Sequence, residues 1–149
     1  MNLQQTDAPD NVAVVERFLA AFDRTWPTEG QLAELLAPDV RFVERPNLVN
    51  PLGSERDLAS MRAAIEQGRQ LMAWQSYEAL EHVGVGDVVV TRLRWRGEIA
   101  VDAGAWPAGT RMSAWCVAHY RLTAGRIVHI EQHDCYEPPA PPTGAGGER

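Results

Sequence analysis

The chain has 149 residues, with 14 Lys and Arg against 20 Asp and Glu, for a net charge of −6 at pH 7. That length suits a single domain with one substantial core, and an acidic balance without any basic block argues against a nucleic-acid surface. No apolar run approaches a membrane span, and the start of the chain lacks the basic-then-apolar pattern of a secretory signal, so the reading is a soluble, cytoplasmic protein with no membrane partner.

Residues 1–9 are polar, include Pro9 and read as a flexible N-terminus. Val14, Val15, Phe18, Leu19 and Phe22 then recur at helical spacing behind Asp10, which has the chemistry of an N-cap. Thr28-Glu-Gly-Gln31 has the form of a capping box, and Leu32, Leu35 and Leu36 mark a short second helix ending at Pro38. A short strand follows from Val40 to Arg45, then a loop over 46–53. Ser54-Glu-Arg-Asp57 is a further capping signal for a third helix traced by Leu58, Met61, Ile65 and Met72. From there the pattern turns to β: runs at 75–84, 87–101, 110–123 and 126–136 are separated by Gly-containing turns and read as consecutive hairpins. The last residues, 138–149, are rich in Pro and Gly and read as a disordered tail, leaving one domain over 10–137.

Helices followed by an antiparallel meander define an α+β fold, with about three helices packed on one face of a cone-shaped, curved sheet. The closing strand carries the most chemistry. Alternation gathers Val128, Ile130, Gln132, Asp134 and Tyr136 on one face and His129, Glu131, His133 and Cys135 on the other. A carboxyl in phase with apolar residues is either a cavity acid or a structural hydrogen-bond acceptor at the strand's wet end near Pro138. On the first strand Glu44 is in phase with Val40 and Phe42, so it either shares a cavity with Asp134 or pairs with Arg41, Arg45 or Arg56 at the rim. Two acids in one cavity would have their pKa values driven apart, as general acid–base chemistry requires.

Arg92, Arg94 and Arg96 share one face of a middle strand opposite Val89, Leu93 and Trp95, and alternation sends them outward. Trp74, Trp95, Trp106, Trp115, Tyr77, Tyr120 and Tyr136 are available to wall a pocket, with the small Ala114 and Ala118 leaving room for a ligand. Trp106 stands on the connection 102–109, where a Trp closes a pocket or meets a partner. His82, His119, His129 and His133 have no metal-type spacing, Cys116 and Cys135 read as reduced packing residues, and no phosphate loop or dinucleotide fingerprint appears, so neither a metal nor an organic cofactor is expected.

The order helix, helix, short strand, helix, four long strands resembles the nuclear transport factor 2-like superfamily in its polyketide-cyclase-like (SnoaL-like) branch. The resemblance rests on Val-Glu-Arg-Phe-Leu-Ala-Ala-Phe (15–22), Leu-Leu-Ala-Pro-Asp-Val-Arg-Phe (35–42) and Gly-Arg-Ile-Val…Asp-Cys-Tyr-Glu (125–137). It implies chemistry inside the cone. The limonene-epoxide-hydrolase-like branch offers a partial comparison: Phe42-Val-Glu44-Arg-Pro46 stands where Tyr-x-Asn-x-Pro is expected, Arg92-Leu-Arg94 where Arg-x-Asp is expected, and Asp134 at the final Asp. Only Arg92 and Asp134 match, and the missing acid and phenol count against epoxide hydrolysis by that mechanism.

Two functions follow. The first is a cofactor-independent acid–base enzyme for a small, largely apolar organic molecule, working by isomerisation, cyclisation or water addition. In it Asp134 transfers the proton or activates a water, Arg92 orients it, and Glu44 or a tyrosine assists. Phe42, Trp74, Tyr120 and Trp106 shape the cavity, and Gln132 and Tyr136 share the acid's face. The second is a non-catalytic ligand-binding or dimerisation module of the same fold. The resemblance implies a homodimer in either case, paired through exposed sheet faces.

Overall fold

The computed structural model describes residues 7–143. Helix α1 spans Asp7–Ala20. Pro9 falls in its first turn, where a missing N–H is tolerated, so the helix begins ahead of Asp10, which lies inside it and is not its cap. Residues 7–9 are therefore helical, and the rest of the expected flexible N-terminus lies outside the described residues. Val14, Val15, Phe18 and Leu19 form the buried stripe of α1.

Helix α2 (Glu29–Leu35) starts at the expected capping box: Gln31 donates its backbone N–H to the Thr28 hydroxyl at 3.1 Å, and Thr28 donates its own to the Gln31 side chain at 2.9 Å. Thr28→Ala removes one half of that exchange and is expected to cost about 1 kcal/mol, read as a Tm roughly 3 °C lower in a thermal melt. The chain passes straight from α2 into strand β1 (Leu36–Glu44), so Pro38 sits within the strand rather than at a helix stop. A register break between Leu36 and Arg41 accommodates its missing N–H.

Ser54 does not cap the third helix. Ser54–Arg56 forms a short strand, β2, paired antiparallel with Phe42–Glu44. The cap is Asp57, whose carboxylate accepts the Ser60 backbone N–H at 2.9 Å at the head of α3 (Leu58–Leu71). Strands β3 (Met72–Val85), β4 (Val88–Ile99), β5 (Arg111–Thr123) and β6 (Arg126–Tyr136) follow as hairpins, close to the expected runs, with Met72 in the strand instead of the helix.

The six strands make one curved, unclosed sheet in the order β2-β1-β6-β5-β4-β3, antiparallel except where β1 runs parallel to β6. The helices cover its inner face, and that face can be mapped as rows of register partners. One row is Tyr77, Trp95, Ala114, Tyr136; the next is Ala79, Leu93, Cys116, Asp134; then Thr91, Ala118, Gln132, Glu44; then Val89, Tyr120, Ile130, Phe42. The last row packs under α1, where Phe18 meets Tyr120 edge-on. In the first three rows β5 contributes Ala114, Cys116 and Ala118, which are too small to fill the space beneath the helices. A cavity opens there.

Residues 138–143 do not form a free tail. Arg111 and Ala140 exchange backbone hydrogen bonds at 3.0 and 2.9 Å, and Glu137 donates to the Ser113 carbonyl at 2.9 Å. Ala140 lies between two proline pairs and supplies the N–H that they lack. The rest of the expected disordered tail lies outside the described residues. Among the described residues no helix is long and apolar enough to cross a membrane.

Candidate functional site

A cavity of about 250 Å³ lies between the inner rows and the helices. Phe18 and Phe22 of α1, and Met61, Ile65 and Gly68 of α3, form its helical wall. Trp26, from the loop after α1, lies against Gly68, where an added Cβ would stand 2.9 Å from the indole. The polar end is built on β1 and β6 by Glu44, Gln132, Asp134 and Tyr136, joined by Arg56 of β2.

Asp134 lies in the cavity wall. The Gln132 side-chain amide donates to both its oxygens, at 2.8 and 3.1 Å, and Cys116 faces it directly across the β5–β6 ladder. Burial pushes the Asp134 carboxyl above the ordinary Asp range, hydrogen bonding from Cys116 and Gln132 offsets part of that rise, and the negative charge of Glu44 adds to it. The same burial, reinforced by Asp134, pushes up the Cys116 thiol and the Tyr77 and Tyr136 phenols, so these groups keep their protons.

Glu44 lines the cavity and is held at its rim at the same time, so the two alternatives open in the sequence are both met. Asn50 donates to its carboxylate at 2.6 Å, Ser54 at 3.4 Å, and the Arg56 guanidinium stands 3.9 Å away. Asn50 is brought there by the tight loop 46–53. That loop closes through Gly53 at φ +68°, where a Cβ would lie 2.6 Å from the Glu44 carbonyl oxygen.

Phe42, Tyr120, Gln132 and Tyr136 all line the cavity with Glu44 and Asp134. Arg92 does not. It lies on the outer face of the sheet, more than half exposed and 3.8 Å from Glu81, because alternation along β4 turns Leu93 inward. Gln132 takes the place beside Asp134 that the resemblance assigns to Arg92. Trp74 is also absent from the cavity wall: Gln75 and Tyr77 are the inward residues of β3, and Trp74 stacks under the Arg24 guanidinium instead, 4.2 Å from its ring centre. Trp106 is pinned in the 102–109 connection by backbone hydrogen bonds with Ala103 at 2.8 and 3.0 Å and does not reach the cavity. His119 falls on the outer face. Arg94, expected in a solvated row, is 92% buried, stacked on Trp115 and ion-paired with Glu137.

Cys116, Tyr77, Trp95, Asn50 and Arg56 complete the site. The signal for Cys116 was its phase with Ala114 and Ala118, and for Tyr77 its phase with Gln75. Asn50 carried none, since its place depends on the loop. Among the described residues no three His, Cys, Asp or Glu side chains converge as a metal site.

A six-stranded, mostly antiparallel curved sheet wrapped on three helices, with an acid on its last strand turned inward, defines an α+β cone of the nuclear transport factor 2-like type. The sequence profile of the SnoaL-like domain matches residues 15–130, and the chain belongs to that family. No curated protein matches it. Among solved structures it is similar to AclR from Streptomyces galilaeus, a candidate hydroxylase, at 20% identity over 86% of this chain and 76% of that one, with a TM-score of 0.69. It is similar to IdmH from Streptomyces antibioticus, a candidate polyketide cyclase, at 22% identity over 83% and 91%, with a TM-score of 0.67. An epoxide hydrolase of the LEH-like kind from M. tuberculosis matches at 15% identity over 87% and 85%, with a TM-score of 0.64. At these identities the likeness is one of fold.

Proposed function

We propose that the protein is a cofactor-independent acid–base enzyme that isomerises or cyclises a small, largely apolar molecule, with Asp134 carrying the proton. The observation behind this reading is a carboxyl of raised pKa in the wall of an apolar cavity, beside phenols that remain protonated. Raising a carboxyl toward neutrality brings its two protonation states closer in free energy, which suits it to take and return a proton. Gln132 fixes its orientation, and Glu44, tethered by Asn50, is the second acid. Membership of the SnoaL-like family and the likeness to a candidate cyclase support the class of reaction. Epoxide hydrolysis has less support, because Arg92 faces outward and Arg94 stands where that mechanism needs an acid. Asp134→Asn is the test, and unchanged turnover of an identified substrate would end the assignment.

One observation favours the alternative of a non-catalytic binding module. At about 250 Å³ the cavity is below the ~300 Å³ that marks the lower end of ligand pockets. A ligand recovered unchanged after prolonged incubation with the protein would select that reading.

A homodimer through the outer sheet face belongs to both readings. Trp115 and Val117 are 50% and 43% exposed at the middle of that face, flanked by the Arg92–Glu81 and Arg96–Glu78 pairs. An apolar centre with a charged rim is the composition of an interface. Sedimentation is expected to give a dimer for the native chain and a monomer for Trp115→Glu; a native monomer at high concentration overturns the proposal.

A further inference from the structure

We propose that the outer face of the sheet carries a binding groove for a small aromatic carboxylate, whose ring lies on Trp115 and whose carboxylate is held by Arg92, and that this ligand and a second copy of the chain compete for the same surface. The competition rests on the outer-face dimer proposed above; the groove does not.

The first ground is shape. A second concavity, of about 380 Å³, lies on the side of the sheet away from the helices, with Trp115, Val117 and Cys135 as its floor and Arg92, His133 and Arg45 at its borders. It exceeds the ~300 Å³ at which ligand pockets begin. Register builds it: Arg92 and His133 stand on either side of Val117, and Trp115 with Cys135 forms the next outward row. Arg45 follows the Glu44–Gln132 pair along β1 and so comes alongside His133. Cys116 and Asp134 border the groove from behind, since alternation turns their side chains to the inner face.

The second ground is charge. Two guanidiniums and an imidazole meet here with little acid to answer them. One Glu131 oxygen serves both Arg45, at 2.7 Å, and His133, at 3.5 Å. Among the described residues Arg92 has only Glu81, at 3.8 Å, and both side chains are more than half exposed. Such a pair is weak and readily exchanged. A ligand carboxylate that accepts two parallel N–H bonds from the Arg92 fork replaces it with a stronger one.

The third ground is Trp115 itself. Its ring is half exposed even though the Arg94 guanidinium stands over one face, 4.1 Å from the ring centre. That cation draws π density toward itself, which leaves the opposite face less attractive to a second cation and better suited to an electron-rich, anionic ring. Val117, also exposed, extends the apolar floor. The groove therefore offers area for a flat ring and not the dense donor shell of a phosphate site.

The test is calorimetric titration with 2-naphthoate, with its neutral counterpart 2-naphthalenemethanol, and with inorganic phosphate. Naphthoate is expected to bind roughly tenfold more tightly than the alcohol, and phosphate is expected not to bind. Arg92→Gln, at an exposed position that leaves the fold intact, is expected to erase the preference for naphthoate. Trp115→Leu is expected to weaken both aromatic ligands roughly tenfold. The groove is overturned if naphthoate does not bind, if the alcohol binds equally well, if phosphate binds as tightly, or if the preference survives Arg92→Gln. Sedimentation of the native chain with and without naphthoate tests the competition. Saturating ligand is expected to shift the dimer to monomer, and a dimer that keeps naphthoate bound overturns the competition. A chain that is monomeric without ligand ends the dimer reading and the competition with it, while the titrations decide the groove.

Discussion

Replacing Asp134 with Asn is expected to abolish nearly all turnover and, at the same time, to raise the melting temperature. Asn keeps the shape of the side chain and can still accept from the Gln132 amide, so the site stays assembled while the transferable proton is gone. Loss of a positioned general acid or base reduces rates roughly 100- to 10,000-fold. The stability change has the opposite sign. Burial raises the Asp134 pKa above its ordinary value of 3.8, so between that value and the raised one the folded chain binds more protons than the unfolded chain. Stability therefore falls as pH rises through that window and stays reduced above it. Asn has no proton to lose and escapes the decline. Melting curves should show the variant more stable near neutral pH, with the gap closing in acid below the ordinary carboxyl range. A variant that loses both activity and stability would mean that Asp134 holds the fold together instead of serving a reaction.

Leu93→Ala is expected to be the most damaging single truncation in the sheet. Leu93 is 1% exposed on β4, with β3 on one side and β5 on the other, and its register partner is Cys116. Shortening it leaves a void behind the Cys116–Asp134 pair that neighbouring strands, fixed by their ladders, cannot close. Core Leu→Ala changes cost about 2–5 kcal/mol, which for a chain of this size lowers Tm by roughly 10 °C. Chemical denaturation should give that loss, while turnover measured well below the transition should survive, because Leu93 touches no reacting group. A loss under about 1 kcal/mol would indicate that the sheet relaxes far more freely than a packed core does.

Elements with long periodic or capping signals were legible in the sequence. The Thr28 box, the hairpin strands and the inward phase of Asp134, Gln132, Phe42 and Glu44 all follow from residue spacing. β2 was not legible, because three residues carry no periodicity and Ser54 mimics a cap. The Asn50 contact to Glu44 is likewise set by a loop turn that no pattern announces. Arg92 is instructive, since alternation along β4 pointed it outward while the family comparison pointed it inward, and the backbone followed alternation. Trp74 was chosen for residue type and Trp106 for its place on a loop, and a ring's position depends on strand phase and loop closure, which neither encodes. Tyr77 and Cys116 were readable by phase, yet one was lost among many aromatics and the other passed for simple packing.

The segment that bonds Ala140 to Arg111 also covers the start of β5, which β6 leaves unpaired. A strand with an open flank invites a further chain to add to it, and such additions begin aggregates. Here the added segment presents Pro138, Pro139, Pro141 and Pro142 around its single paired alanine. Proline has no N–H to offer and its ring obstructs an incoming backbone. The chain thus closes the start of β5 with residues that no neighbouring molecule can zip onto.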